Sequence, residues 1–172
     1  MDLSRARTLA ADLGDALRDT KESLAIVESC TGGLLGSVIT DVSGSSDYFD
    51  RGYVTYSNQA KLALGVSREA LDEFGAVSEP VAREMAQAAR DAAGTTWAIS
   101  TTGIAGPTGG TPEKPVGTVY IGVAFAGDWG TGDTTTWVLR RNYDGDRTDI
   151  KAKVTEGAIE RLLEVRGTDT PV

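Results

Sequence analysis

The feature that most constrains this chain is a single junction. Leu24-Ala25-Ile26-Val27 is apolar at every position, Glu28-Ser29-Cys30-Thr31-Gly32-Gly33 follows it, and Leu34, Leu35, Val38 and Ile39 then recur at helical spacing. A strand with no polar face must be covered on both sides, as parallel strands under helices are. A turn from such a strand into a helix brings a hydroxyl and free backbone N–H groups to the carboxyl end of a sheet, where open α/β sheets bind ligands. The same residues equally suit a plain structural turn, with glycines for the tight bend and Ser29 or Thr31 as a helix cap.

The remaining patterning supplies the partners this strand needs. Residues 4–19 place Leu9, Leu13, Ala16 and Leu17 on one side of an amphipathic helix. A helix is expected over 33–40, ended by Ser43-Gly44-Ser45-Ser46, and Tyr53-Val54-Thr55-Tyr56 reads as a second strand. Ser57-Asn58 then caps a short helix carrying Lys61, and another short helix covers 68–74. Ser78-Glu79-Pro80 opens a longer helix with Val81, Met85, Ala88 and Ala92 as its stripe and Gly94 at its end. Trp97-Ala98-Ile99-Ser100 is a third strand, running into a glycine-rich loop over 102–115 that is too long for an ordinary connection. Residues 116–125 alternate, with Val119, Ile121, Val123 and Phe125 on one face, and a turn over 127–130 leads to an antiparallel strand over 134–140. Asp146 caps a last helix with Ile150, Val154, Ala158 and Leu162 on one side. This order predicts a single three-layer α/β/α domain with a mixed, mostly parallel sheet over residues 1–166, followed by a flexible tail at 167–172.

Composition narrows the chemistry by what it lacks. The chain contains no histidine and one cysteine, which excludes Ser-His-Asp and Cys-His catalysis, His-ligated metal and thiolate zinc sites. A serine nucleophile here must find its base in a lysine, a tyrosinate or a carboxylate. The net charge of −8 and pI near 4.6 oppose binding to a phosphodiester backbone, so nucleic acid is not an expected partner. No apolar run is long enough to cross a bilayer and no leader pattern is seen, so a cytoplasmic location is expected, consistent with the solitary Cys30.

Three segments fall where strands should end: the Ser29 turn, the stretch from Tyr56 to Lys61, and the glycine-rich loop. Lys61 is one of five lysines and its sequence neighbours are uncharged, which permits the lowered pKa a lysine needs to deprotonate a serine. It equally suits a surface helix position, and Tyr56 equally suits a packed strand position. Cys30 is a rival nucleophile without an adjacent cation to stabilise its thiolate. The loop matches neither standard phosphate fingerprint, but its glycines leave backbone N–H groups free for an anion-binding nest; a bare surface excursion is the alternative.

Taken in order, Glu28-Ser29-Cys30-Thr31-Gly32-Gly33, Ile39-Thr40-Asp41 with Gly44-Ser45-Ser46, Val54-Thr55-Tyr56-Ser57-Asn58 with Lys61, Gly75-Ala76-Val77-Ser78-Glu79, Thr102-Gly103-Ile104-Ala105-Gly106-Pro107 and Lys114-Pro115-Val116-Gly117-Thr118-Val119 resemble the CinA C-terminal domain family over about residues 5–165. Enzymatic members of that family are nicotinamide-nucleotide amidases. The resemblance implies hydrolysis of nicotinamide mononucleotide to nicotinate mononucleotide and ammonia in pyridine-nucleotide salvage, with no metal or cofactor. It implies Ser29 as nucleophile and Lys61 and Tyr56 as proton-transfer partners. Cys30, Thr31, Gly32 and Gly33 are then expected to offer oxyanion N–H groups. Thr102, Gly103, Ala105, Gly106, Gly109 and Gly110 would line the nucleotide site, with Arg147, or alternatively Lys114, on the 5′-phosphate. A homodimer or other homo-oligomer is expected on the same ground. Many family members carry a further N-terminal domain, whose activity is not assigned here. A non-catalytic nucleotide-binding or regulatory module is the alternative from another class, and an amidase for a different small amide is a third.

Overall fold

The computed structural model describes residues 1–128 and 130–167. The strands are β1 (Leu24–Glu28), β2 (Phe49–Val54), β3 (Trp97–Gly103), β4 (Thr118–Phe125) and β5 (Thr135–Asn142). The helices are α1 (Ser4–Thr20), α2 (Leu34–Thr40), α3 (Asn58–Leu64), α4 (Arg68–Phe74), α5 (Glu79–Ala93) and α6 (Arg147–Gly167). One sheet runs in the order β2-β1-β3-β4-β5. The expected three layers are present. Leu24, Ile26, Trp97, Ile99, Ile121 and Val123 pack with buried residues of α1, α2 and α6 on one face. Ala25, Val27 and Ala98 pack with α4 and α5 on the other. β1 is buried at all five positions, as its unbroken apolar run requires.

The sheet is mixed, but parallel pairing does not predominate. β1 pairs parallel with β2 and β3, whereas β3–β4 and β4–β5 are antiparallel. The hairpin-like return after β3 puts the antiparallel pairs together on one side of the sheet. β2 also lies earlier than the 53–56 segment expected. It is an edge strand whose Asp50, Arg51 and Gly52 are exposed, so alternation is absent from most of it, and Tyr56 falls in the connection beyond. The buried side of α5 is Val81, Ala82, Met85, Ala86 and Ala89, with Ala88 and Ala92 outside it. The larger neighbours set which alanines turn inward, and alanine spacing alone carries little of that information.

Caps follow the expected chemistry. Ser57 Oγ accepts from Ala60 N, Ser78 Oγ from Val81 N, and Asp146 Oδ1 from Thr148 N and Asp149 N. The Thr148 hydroxyl donates to the same oxygen at 2.7 Å and, followed by the Asp149 amide, holds the Asp146 carboxyl below its usual range. α6 continues through Gly167, and the rest of the expected tail, 168–172, lies outside the described residues, as does Trp129 in the β4–β5 connection.

Candidate active site

Register alone gathers the site. Glu28 pairs with Val54 on one side and Thr101 on the other, so Ser29, Thr55 and Thr102 emerge level at the carboxyl end of three parallel strands. Ser29 N donates to Thr101 O at 2.9 Å and Thr55 N to Glu28 O at 2.8 Å, extending both ladders by one bond. The chain then turns through Gly32 and Gly33, with φ of 61° and 99°, values that favour glycine.

Glu28 holds this turn from beneath. Its side chain is buried, and its carboxylate accepts from Gly33 N at 2.9 Å, Leu35 N at 3.1 Å and Gly36 N at 2.9 Å. A helix start has unpaired amides, and here one carboxylate takes three of them. The role of Glu28 was not foreseen in the sequence, because the acidic residue lies before the turn rather than at the cap position.

Above the turn, Lys61 is 1% exposed. Its Nζ donates to Ser29 Oγ at 3.0 Å and to Thr55 O at 2.7 Å. α3 begins at Asn58 because Ser57 caps it, and this places Lys61 on the helix face turned toward the sheet end. Burial lowers the Lys61 pKa from its ordinary 10.5, with the neighbouring Cys30 opposing weakly. Cys30 is itself buried, and desolvation pushes its thiol up to about 12 against the pull of Lys61 and Lys151. A thiol with that pKa is protonated at neutral pH and is a poor nucleophile.

These residues open onto a cleft of about 280 Å³. Ser29, Cys30, Tyr56 and Lys61 line it from one side; Thr102 and Gly103 from the end of β3 and Ala105, Gly106 and Gly109 from the loop after it; and Arg147 from α6. Among the described residues no aspartate or glutamate lines it, and the basic side chains that do are Lys61 and Arg147. Arg147 donates to Gly106 O and to the Tyr56 hydroxyl, each at 2.6 Å, tying the helix to both walls. Tyr56 is 57% exposed and its hydroxyl is engaged by Arg147; among the described residues it makes no hydrogen bond to Ser29 or Lys61.

Four expected binding residues do not line the cleft. Thr31 is fully buried with its hydroxyl 2.8 Å from that of Thr101. Gly33 has its amide on Glu28, and Gly32 donates to Ser29 O at 3.2 Å, so both serve the turn. Gly110 faces the returning loop, where a Cβ would come within 2.8 Å of Val116 N. Lys114 donates to Phe74 O at 2.9 Å and is outside the cleft. Of the turn amides expected for an oxyanion, those of Cys30 and Thr31 donate to no other residue among the described ones. Conversely, Asn58, Ala76, Val77, Ile104 and Thr108 line the cleft without having been singled out. Lys151 was also passed over. It follows Arg147 by one helical turn, and its Nζ lies 3.8 Å from where a Gly32 Cβ would stand. The four-residue spacing was the available signal.

Among the described residues no group of three or more cysteine, aspartate or glutamate side chains is placed to hold a metal ion. No helix among them is long and apolar enough to cross a membrane.

A sheet-end serine held by a buried lysine, on a three-layer α/β domain with no histidine, defines a Ser-Lys type of site. The chain belongs to the CinA C-terminal domain family, whose model matches residues 6–166. It is 46% identical over 162 residues to the nicotinamide-nucleotide amidohydrolase PncC of Shigella flexneri, covering 94% of each chain. It is 56% identical over 118 residues to a CinA-like protein of Nostoc punctiforme, but this match takes in 68% of the present chain and only 28% of that longer relative. Among solved structures, the competence/damage inducible protein CihA from Agrobacterium tumefaciens superposes with a TM-score of 0.88 at 36% identity, covering 96% of this chain and 99% of that one.

Proposed function

We propose that the chain is a nicotinamide-nucleotide amidase that hydrolyses the carboxamide of nicotinamide mononucleotide to nicotinate mononucleotide and ammonia. The observation that carries this is the 3.0 Å bond between buried Lys61 Nζ and Ser29 Oγ at the floor of the cleft. The full-length similarity to a protein named for that activity supports the choice of substrate.

With Lys61 neutral, one N–H remains on Thr55 O and the lone pair faces Ser29 Oγ. Ser29 Oγ attacks the carboxamide carbon as its proton passes to Lys61. The amide of Cys30 stabilises the oxyanion, being unbonded to other described residues and next to the nucleophile. The C–N bond breaks as Lys61 returns the proton to nitrogen, and ammonia leaves. Water, deprotonated by Lys61, then attacks the Ser29 ester, and Ser29 Oγ leaves as Lys61 returns the proton to it, freeing nicotinate mononucleotide. Tyr56 enters as the group that fixes Arg147 at the cleft mouth, with Arg147 taking the 5′-phosphate beside the loop bearing Gly103, Ala105, Gly106 and Gly109; proton transfer is assigned to Lys61 alone.

The same proposal takes the protein as a cytoplasmic homo-oligomer, after its family resemblance. The test of function is direct: purified protein with nicotinamide mononucleotide yields ammonia and nicotinate mononucleotide in equal amounts. Binding without product places the chain among non-catalytic modules instead.

A further inference from the structure

Among the described residues Asn58 is the one carboxamide residue lining the cleft, and nothing in the catalytic sequence above uses it. It opens α3, three residues before Lys61, a spacing that puts both on one face of the helix. It is not needed as a cap, because Ser57 Oγ already accepts Ala60 N at 3.1 Å. Of the chain's other side-chain amides, Asn142 Oδ1 accepts from Thr118 at 3.2 Å and Gln87 donates to Thr136 at 3.2 Å, while Gln59, exposed and also without a side-chain hydrogen bond among the described residues, lies outside the cleft. Asn58 is exposed and makes no side-chain hydrogen bond among the described residues, so neither end of its amide is already engaged.

We infer that Asn58 is the residue that recognises the substrate as a primary amide, its Oδ1 accepting an N–H of the scissile carboxamide. This rests on the amidase reading and adds a specificity residue to it. The orientation follows from proton traffic. The leaving nitrogen must end near Lys61 Nζ to be protonated, so the –NH₂ side of the substrate lies along α3, and its carbonyl oxygen lies toward the Cys30 amide. A group on α3 that meets –NH₂ must accept, which selects Oδ1 over Nδ2. Holding nitrogen there distinguishes the amide from an ester of the same acid, which has no N–H to give. It also disfavours the product, whose carboxylate would set a negative oxygen against Oδ1.

The test compares nicotinamide mononucleotide with the methyl ester of nicotinate mononucleotide in wild type, Asn58→Ala and Asn58→Asp. The amide-to-ester ratio of kcat/KM is expected to fall at least about tenfold in Asn58→Ala, the loss of one well-made hydrogen bond. It is expected to stay within about threefold of wild type in Asn58→Asp, which keeps an acceptor oxygen at the same place. Asn58→Asp also sets a negative charge near Lys61, so the rising limb of its pH profile moves to higher pH, and the amide-to-ester ratio is read on each variant's plateau. An unchanged ratio in Asn58→Ala, or an equal fall in both variants, overturns the assignment. Wild-type protein that converts neither compound overturns the amidase reading itself, before any variant is compared.

Discussion

In the proposed mechanism Lys61 is the residue on which the chemistry turns. Its amine is enclosed, bonded to Ser29 Oγ and Thr55 O, with no carboxylate lining the cleft to hold a proton on it. Burial therefore sets its pKa below 10.5. The sign follows: kcat/KM should rise with pH as Lys61 loses its proton, with the midpoint of the rise below the ordinary lysine value of 10.5. Because the folded value is the depressed one, this residue's contribution to stability also grows as pH rises toward the unfolded value, where the unfolded chain gives up its own proton. Lys61→Arg, which stays protonated, should remove both the rising limb and turnover; a variant that keeps the limb would place the base elsewhere. Lys61 was legible as a candidate because of its uncharged neighbours, but its burial was not, since a seven-residue helix with one lysine also suits the surface. Tyr56 was legible as a site residue, though not in its role: its hydroxyl partner, Arg147, lies 91 residues away. Asn58 and Lys151 escaped notice because their value depends on what stands opposite them.

At the scale of elements, the turn from β1 to α2 is fixed by Glu28. Its buried carboxylate gathers three amides that would otherwise face the interior unpaired. Glu28→Ala should lower unfolding stability by roughly 3 kcal/mol, the order expected when charge-assisted hydrogen bonds are lost in a buried place. The measurement is the urea midpoint at unchanged slope, and an unchanged midpoint would contradict the role given to Glu28. β1 was legible because an unbroken apolar run of strand length admits few environments. β2 was displaced because an edge strand with exposed Asp50 and Arg51 carries little periodicity. The glycines after β3 marked that loop as either an anion-binding nest or a surface excursion, and its place in the expected nucleotide site came from the family resemblance. Which of them face the cleft depends on packing: Gly110 is required by Val116, while Gly103, Gly106 and Gly109 line the site.

For the whole molecule, topology does the assembling. Two parallel pairings bring the ends of β1, β2 and β3 to one edge, α3 delivers Lys61 over Ser29, and α6 returns Arg147 to close the rim. The layer architecture followed from the order of elements, whereas the even division of parallel and antiparallel pairings depended on how the chain returns after β3. An acidic protein of net charge −8 thus presents a cleft whose charged lining is cationic. The central claim is that Ser29, not the adjacent Cys30, attacks the substrate. Steady-state turnover of nicotinamide mononucleotide by wild type, Ser29→Ala and Cys30→Ala tests it most directly. Ser29→Ala is expected to lose on the order of a thousandfold or more and Cys30→Ala to change by no more than about threefold. Turnover retained in Ser29→Ala, or abolished in a folded Cys30→Ala, would contradict it.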